Sequence, residues 1–212
     1  MTSTRDDFLA AARAAAGLLA EPAVAANWGG ASALPEFTVG GLAGHLAYQI
    51  LAVPDALTGP APKEETVSLL GHYQRVAWIG AALDDEISVR IRSGGEQTAA
   101  GGPAALSARV DAAVEELAGA LASTPDRPVR IPLWGPWSLM LDDLLITRMM
   151  ELAVHSDDLA VSVGVPTPSL PQSAVDTVID LLSRLAVRRH GPTAVLRALS
   201  RAERAPASIA AF

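Results

Sequence analysis

The sequence predicts an all-α protein, a four-helix bundle with one or two extra helices at its C-terminal end. Three observations support this. Apolar residues recur with a helical period along most of the chain, as at Leu106, Val110, Val114, Leu117 and Leu121. The only hint of a strand is "PVRIPLW", and its two prolines weaken it. Hydrophobic residues make up 50% of the 212 positions but aromatics only 4%, so Ala, Leu and Val must fill the core. Such small side chains let helices approach closely.

The elements follow in order. Thr4 to Glu21 is Ala-rich, is capped by Ser or Thr, and stops at Pro22. The segment "NWGGASALPE" then reads as a loop. Thr38 caps a second helix that runs to about Thr58, where "TGPAP" ends it. A third helical region spans about Glu64 to Ser93, with a break near Gly71. "SGGEQTAAGGP" reads as a flexible loop or a frayed end. Ala104 to Ser123 is the strongly amphipathic helix, and "TPDRPVRIPLWGPW" is a turn-rich connection holding two tryptophans. Ser138 caps a long helix to about Val163, ended by "GVPTP". Ser173 to Arg189 and Pro192 to Arg201 form the last two helices. The expected division is a bundle over 1–168 and a short helical extension over 169–212. Its connections are longer than an up-and-down bundle needs, which predicts at least one crossover.

Composition excludes several functions. The formal net charge is -7, and no cluster of Lys and Arg resembles a nucleic-acid footprint. The short basic run "VRRHG" suits the negative end of a helix. There is no cysteine, hence no disulfide, no zinc–thiolate site and no thiol nucleophile in the chain. The N-terminal segment carries acids early and Arg13 in its apolar run, unlike a signal peptide. Phe37 to Pro54 holds no formal charge but contains three glycines, His45, Gln49 and Pro54, and is read as a buried helix, not a span. A cytoplasmic protein without membrane contact is expected.

The candidate site lies in "RMMELAVHSDDLAVSVG". Glu151 and His155 are four residues apart and share one helix face, about 5–6 Å apart at Cβ. Alone, such a pair is as well explained by a surface ion pair or a satisfied core histidine. "TVGGLAGHLAYQIL" adds His45 on a second apolar helix. Gly40, Gly41 and Gly44 each cost that helix about 1 kcal/mol relative to Ala, and close approach to a neighbour would offset the cost. Two imidazoles and a carboxylate from facing helices form a bundle-type metal site, and three protein ligands leave coordination open for chemistry. Asp158 either orients an imidazole from behind or is a solvated acid. Arg148 either meets an anionic substrate group or pairs with an acid, the latter being preferred. Arg75 is a candidate contact for an anionic cosubstrate. His72 and Tyr73 are candidates for a pocket wall or a fourth ligand. Trp134 and Trp137 either shape a pocket mouth or anchor a loop.

"FTVGGLAGHLA" followed far downstream by "RMMELAVHSDDLAVSVG" resembles the DinB/YfiT-like superfamily, and more closely the N-terminal metal-binding domain of mycothiol-dependent maleylpyruvate isomerases. The resemblance runs from the first helix to about Pro168. It implies that His45, Glu151 and His155 hold a divalent metal, usually zinc, in a four-helix bundle. It also implies a low-molecular-weight thiol such as mycothiol as cosubstrate. The isomerase proper has a sizeable C-terminal domain, whereas Ser173 to Phe212 here is enough for two short helices and a tail.

The expected function is a metal-dependent thiol S-transferase or isomerase acting on an electrophile. One alternative is a non-catalytic bundle that binds metal and a small ligand. Another uses the same three side chains for iron(II) and oxygen. The small-residue, acidic surface permits a homodimer.

Overall fold

The structure is a computed structural model that describes residues 3–212; residues 1 and 2 of the expected bundle lie outside them. The described residues form nine α-helices and one two-stranded ribbon. The helices are α1 (Thr4–Leu19), α2 (Pro22–Ala26), α3 (Val39–Thr58), α4 (Leu69–His72), α5 (Glu86–Ala99), α6 (Pro103–Ser123), α7 (Leu141–Val163), α8 (Gln172–His190) and α9 (Pro192–Ser200). The strands β1 (Pro128–Val129) and β2 (Leu139–Met140) pair antiparallel, Pro128 opposite Met140.

Local chemistry explains most boundaries. α1 opens on a capping box: the Ser3 hydroxyl accepts from the Asp6 N–H, and the Asp6 carboxylate accepts from the Ser3 N–H. Pro22 both follows α1 and opens α2, where its missing N–H leaves nothing unpaired. Thr38 caps α3 through the Gly41 N–H at 2.8 Å. α7 ends at Gly164, whose φ of 71° closes the last turn in the left-handed region.

The bundle consists of α1, α3, α6 and α7. Both α6 and α7 pack against α1 and against α3. α1 and α3 thus stand across from one another, and the chain between them crosses the bundle. Phe8, Leu42, Leu46, Ile50, Leu117 and Leu144 are fully buried at its centre. The expected stripe on α6 is buried from Leu106 to Leu121. On α8, Ala174, Val178, Leu181 and Leu185 join the same core, and the tail returns so that the Phe212 ring lies 4.8 Å from that of Trp78.

Three local expectations are corrected. The helical region expected over Glu64 to Ser93, with its break near Gly71, is mostly not helical, and Gly71 lies inside the one turn that forms there. Thr66 bridges to Ser138 as a short extended pair, α4 is a single turn, and Gly80 takes a φ of 79° that no helix tolerates. Ser138 does not cap α7. It is buried, its N–H bonds the Glu65 carbonyl at 2.9 Å and its hydroxyl meets that of Thr66 at 2.9 Å, so α7 starts three residues later. "SGGEQTA", read as a loop, is the second half of α5. A Cβ on Gly44 of α3 would overlap the Gly95 carbonyl oxygen, and one on Gly95 would overlap the Gly41 carbonyl oxygen. The glycines weaken α5 as an isolated helix but let it lie directly against α3, and that contact outweighs propensity. No helix among the described residues is long and apolar enough to cross a membrane.

Candidate metal centre and cavity

α3 supplies His45, and α7 supplies Glu151 and His155 one turn apart. His155 Nε2 lies 3.1 Å from Glu151 Oε2, and His45 Nε2 lies 3.6 Å from the same oxygen. One donor atom from each residue falls within 4.8 Å of the others. The two imidazoles meet edge to face, centroids 4.7 Å apart. The glycines around His45 act differently from the sequence expectation. They bring α3 against α5 and, at Gly40, against the Trp28 ring, while His45 reaches α7 from the adjoining face.

The charges are mutually arranged. Burial opposes ionisation of Glu151, but hydrogen bonds from His155 and His45 outweigh it and hold its carboxyl well below the usual range. Burial likewise works against a charged His155, yet bonds to Asp158 and Glu151 push it up to about 9. Burial lowers the His45 value, with the Glu151 bond acting in the opposite sense and the His155 and Arg148 charges adding to the depression. Asp158 Oδ2 accepts from His155 Nδ1 at 2.9 Å, which turns His155 Nε2 toward Glu151 and His45. A carboxylate behind an imidazole in this way fixes ring orientation and raises basicity toward a cation.

The donor set fits a divalent cation. Bonds of about 2.0–2.1 Å to a tetrahedral ion place donor atoms about 3.4 Å apart; the two imidazoles stand 3.1 and 3.6 Å from Glu151 Oε2, and all three donors lie within 4.8 Å of one another. Two nitrogens and one carboxylate oxygen leave a fourth position on the open side.

That side faces a cavity of about 730 Å³ lined by all three donors, with Phe37, Trp134, Val154 and Phe212 among its apolar wall. Arg148 also lines it but is not paired with an acid, as the sequence had suggested. Its Nη1 donates to Gln49 Oε1, its Nε donates to Thr147 Oγ1 at 3.1 Å, and its guanidinium sits 4.6 Å from the centre of the Trp134 ring. Gln49 in turn donates to the His45 carbonyl at 2.8 Å.

Other candidates lie elsewhere. Arg75 is not among the cavity-lining residues; it pairs with Glu65 at 2.9 Å. His72 is buried and accepts from the Trp137 indole N–H at 3.1 Å, so Trp137 anchors this imidazole while Trp134 lines the cavity. Burial, with the Arg148 charge nearby, pushes His72 down to about 4. Tyr73 is buried with its hydroxyl unpaired, and burial raises its pKa. Residues missed from sequence are Gln49, Arg90, Arg92, Arg109 and Phe212, all lining the cavity. Only Gln49 had a signal, one helical turn beyond His45.

The sequence model of the mycothiol maleylpyruvate isomerase N-terminal domain matches residues 8–160. Among solved structures, the mycothiol-dependent maleylpyruvate isomerase superposes with a TM-score of 0.53 at 16% identity, over 88% of this chain and 72% of that one. A histidine-to-alanine mutant of that isomerase gives 0.52 at 17% identity, with the same coverage. No curated protein matches the chain.

Proposed function

The chain belongs to the mycothiol maleylpyruvate isomerase N-terminal domain family, and on that footing we propose a metal-dependent enzyme of the isomerase or S-transferase type. Its cation is zinc, and its cosubstrate is a low-molecular-weight thiol such as mycothiol. The observation that carries this is the convergence of His45, Glu151 and His155 on one point at the edge of a cavity. Residues 1–168 form the unit that bears the site, and 169–212 form an extension that covers part of the bundle.

His45, Glu151 and His155 would hold a divalent cation, and when bound it would lower the pKa of a soluble thiol and so supply the thiolate that a chain without cysteine lacks. The chain's own residues do the rest. Asp158 holds His155 by its Nδ1–H and keeps Nε2 directed at the centre. Glu151 stays ionised, as a ligand must. A thiolate that adds to an activated carbon–carbon double bond forms a C–S bond as the π bond opens to an enolate; protonation of the enolate and release of the adduct give S-transfer. Rotation about the resulting single bond, followed by re-formation of the double bond with expulsion of the thiolate, gives cis–trans isomerisation.

The test is metal analysis of purified protein beside the His155→Ala variant. About one equivalent of zinc is expected in the first and a large loss in the second. Equal and negligible metal in both rejects the centre. Consumption of mycothiol with a general electrophile then separates an enzyme from a bundle that only binds. Metal-loaded protein that consumes none of several thiols refutes the catalytic assignment.

A further inference from the structure

Arg148 is 5% exposed, yet no carboxylate pairs with it among the described residues. Its protein partners, Gln49 and Thr147, are neutral, and Trp134 offers only a ring face. Glu151, the nearest acid along α7, is already engaged by two imidazoles. Among the described residues Nη2 of Arg148 makes no hydrogen bond, its Nε and Nη1 being the donors. The Tyr73 hydroxyl is the one side-chain polar atom among the described residues that is both sealed and unpaired, so Nη2 opens to the cavity. A buried cation is costly unless an anion and good hydrogen bonds compensate it.

The cavity as a whole has the same bias. Arg90, Arg92, Arg109 and Arg148 line it, against Glu151 as the one acidic side chain among the described lining residues, in a chain whose formal net charge is -7. None of the four arginines makes an ion pair among the described residues. A planar guanidinium with a free edge matches a carboxylate, which it holds through two parallel bonds or one strong one. Arg148 is also tied to the centre: Gln49 accepts from it and donates to the backbone of His45, and Glu151 follows one turn later on α7.

We infer that Arg148 is the specificity-determining anion receptor of this cavity, taking the carboxylate of an electrophile that bears one. The substrate's reactive carbon then faces the three-donor centre, and its short apolar body lies against Trp134. Placement of that carbon rests on the function proposed above. Anion capture by Arg148 does not, and it is measured without metal.

The probes are benzoate and its neutral analogue benzamide, titrated into chelator-treated protein and followed by tryptophan fluorescence, since Trp134 touches Arg148. Benzoate is expected to bind and benzamide to bind on the order of 10- to 100-fold more weakly, the effect of losing a charge-assisted contact. Arg148→Gln should weaken benzoate by a similar factor while leaving benzamide unchanged. Benzamide binding as tightly as benzoate overturns the inference and needs no variant. So does unaltered benzoate affinity in a folded Arg148→Gln protein, or loss of binding in Arg109→Gln but not in Arg148→Gln. Benzoate that binds only after zinc is added also overturns it, because the anion is then on the metal. Failure of the metal test with retained benzoate selectivity removes the proposed chemistry and leaves this receptor standing.

Discussion

Gly44→Ala tests how α3 and α5 are held together. A Cβ at this position would overlap the Gly95 carbonyl oxygen and stand 3.0 Å from both the Cβ and the backbone nitrogen of Ala99. These are mostly backbone atoms, so no rotamer change relieves the overlap and the helices must separate. Overpacking of this kind costs about 1–3 kcal/mol, with a backbone clash toward the upper end. Alanine returns about 1 kcal/mol through helix propensity. The net is a destabilisation of about 1–2 kcal/mol, or roughly 2–8 °C in melting temperature for a chain of this size. Gly119→Ala on α6 is the control. Gly119 is exposed, and a Cβ there meets nothing within 4 Å, so the same substitution should stabilise by about 0.5–1 kcal/mol. Thermal and denaturant unfolding followed by circular dichroism measure both. A Gly44→Ala protein that melts at or above the wild-type temperature refutes the close-approach account of α5.

Three further outcomes are expected. Asp158→Asn removes the carboxylate behind His155 and should weaken zinc about 10- to 100-fold in competition with a chromophoric chelator; an unchanged affinity means that Asp158 does not support the site. His72 is pushed from 6.5 down to about 4 by burial, so between those values the unfolded chain takes a proton that the folded chain refuses. Stability therefore falls as pH drops through that window, by about 3 kcal/mol at pH 4, and a His72→Phe variant should show a shallower acid slope in urea titrations; parallel slopes would count against a buried neutral imidazole. Tyr73→Phe deletes a sealed hydroxyl with no partner, so its stability should be unchanged or higher by up to about 1 kcal/mol, and a marked loss in calorimetry would reveal a bond that Tyr73 makes.

Much of the fold was legible because it is local. Helix caps at Ser3 and Thr38, the breakers Pro22 and Gly164, and the buried stripe on α6 depend on residues within a turn or two of one another. The proximity of Glu151 and His155 is of the same kind, since any α-helix sets side chains four apart on one face. The second half of α5 was not legible. Gly94 and Gly95 argue for a loop on intrinsic propensity, and only contact with α3 reverses that preference. Ser138 before an apolar run looks like a cap, yet pairing with the segment around Thr66 places it in extended backbone.

The sequence by itself determined that the chain is helical, where most helices begin and end, and that an acid and an imidazole share one turn of α7. Hydrogen bonds and side-chain spacing along a single helix decide these matters, and both are written within a few consecutive residues. Tertiary structure brought His45, expected from the sequence as a third donor, to that pair, and it alone decided that Arg148 is wrapped by Gln49 and Trp134 instead of an acid and that arginines of α5 and α6 line the same cavity as the centre. Those contacts join segments up to about a hundred residues apart. They arise from which apolar faces are buried against which, a property of the packed whole and of no single stretch of chain.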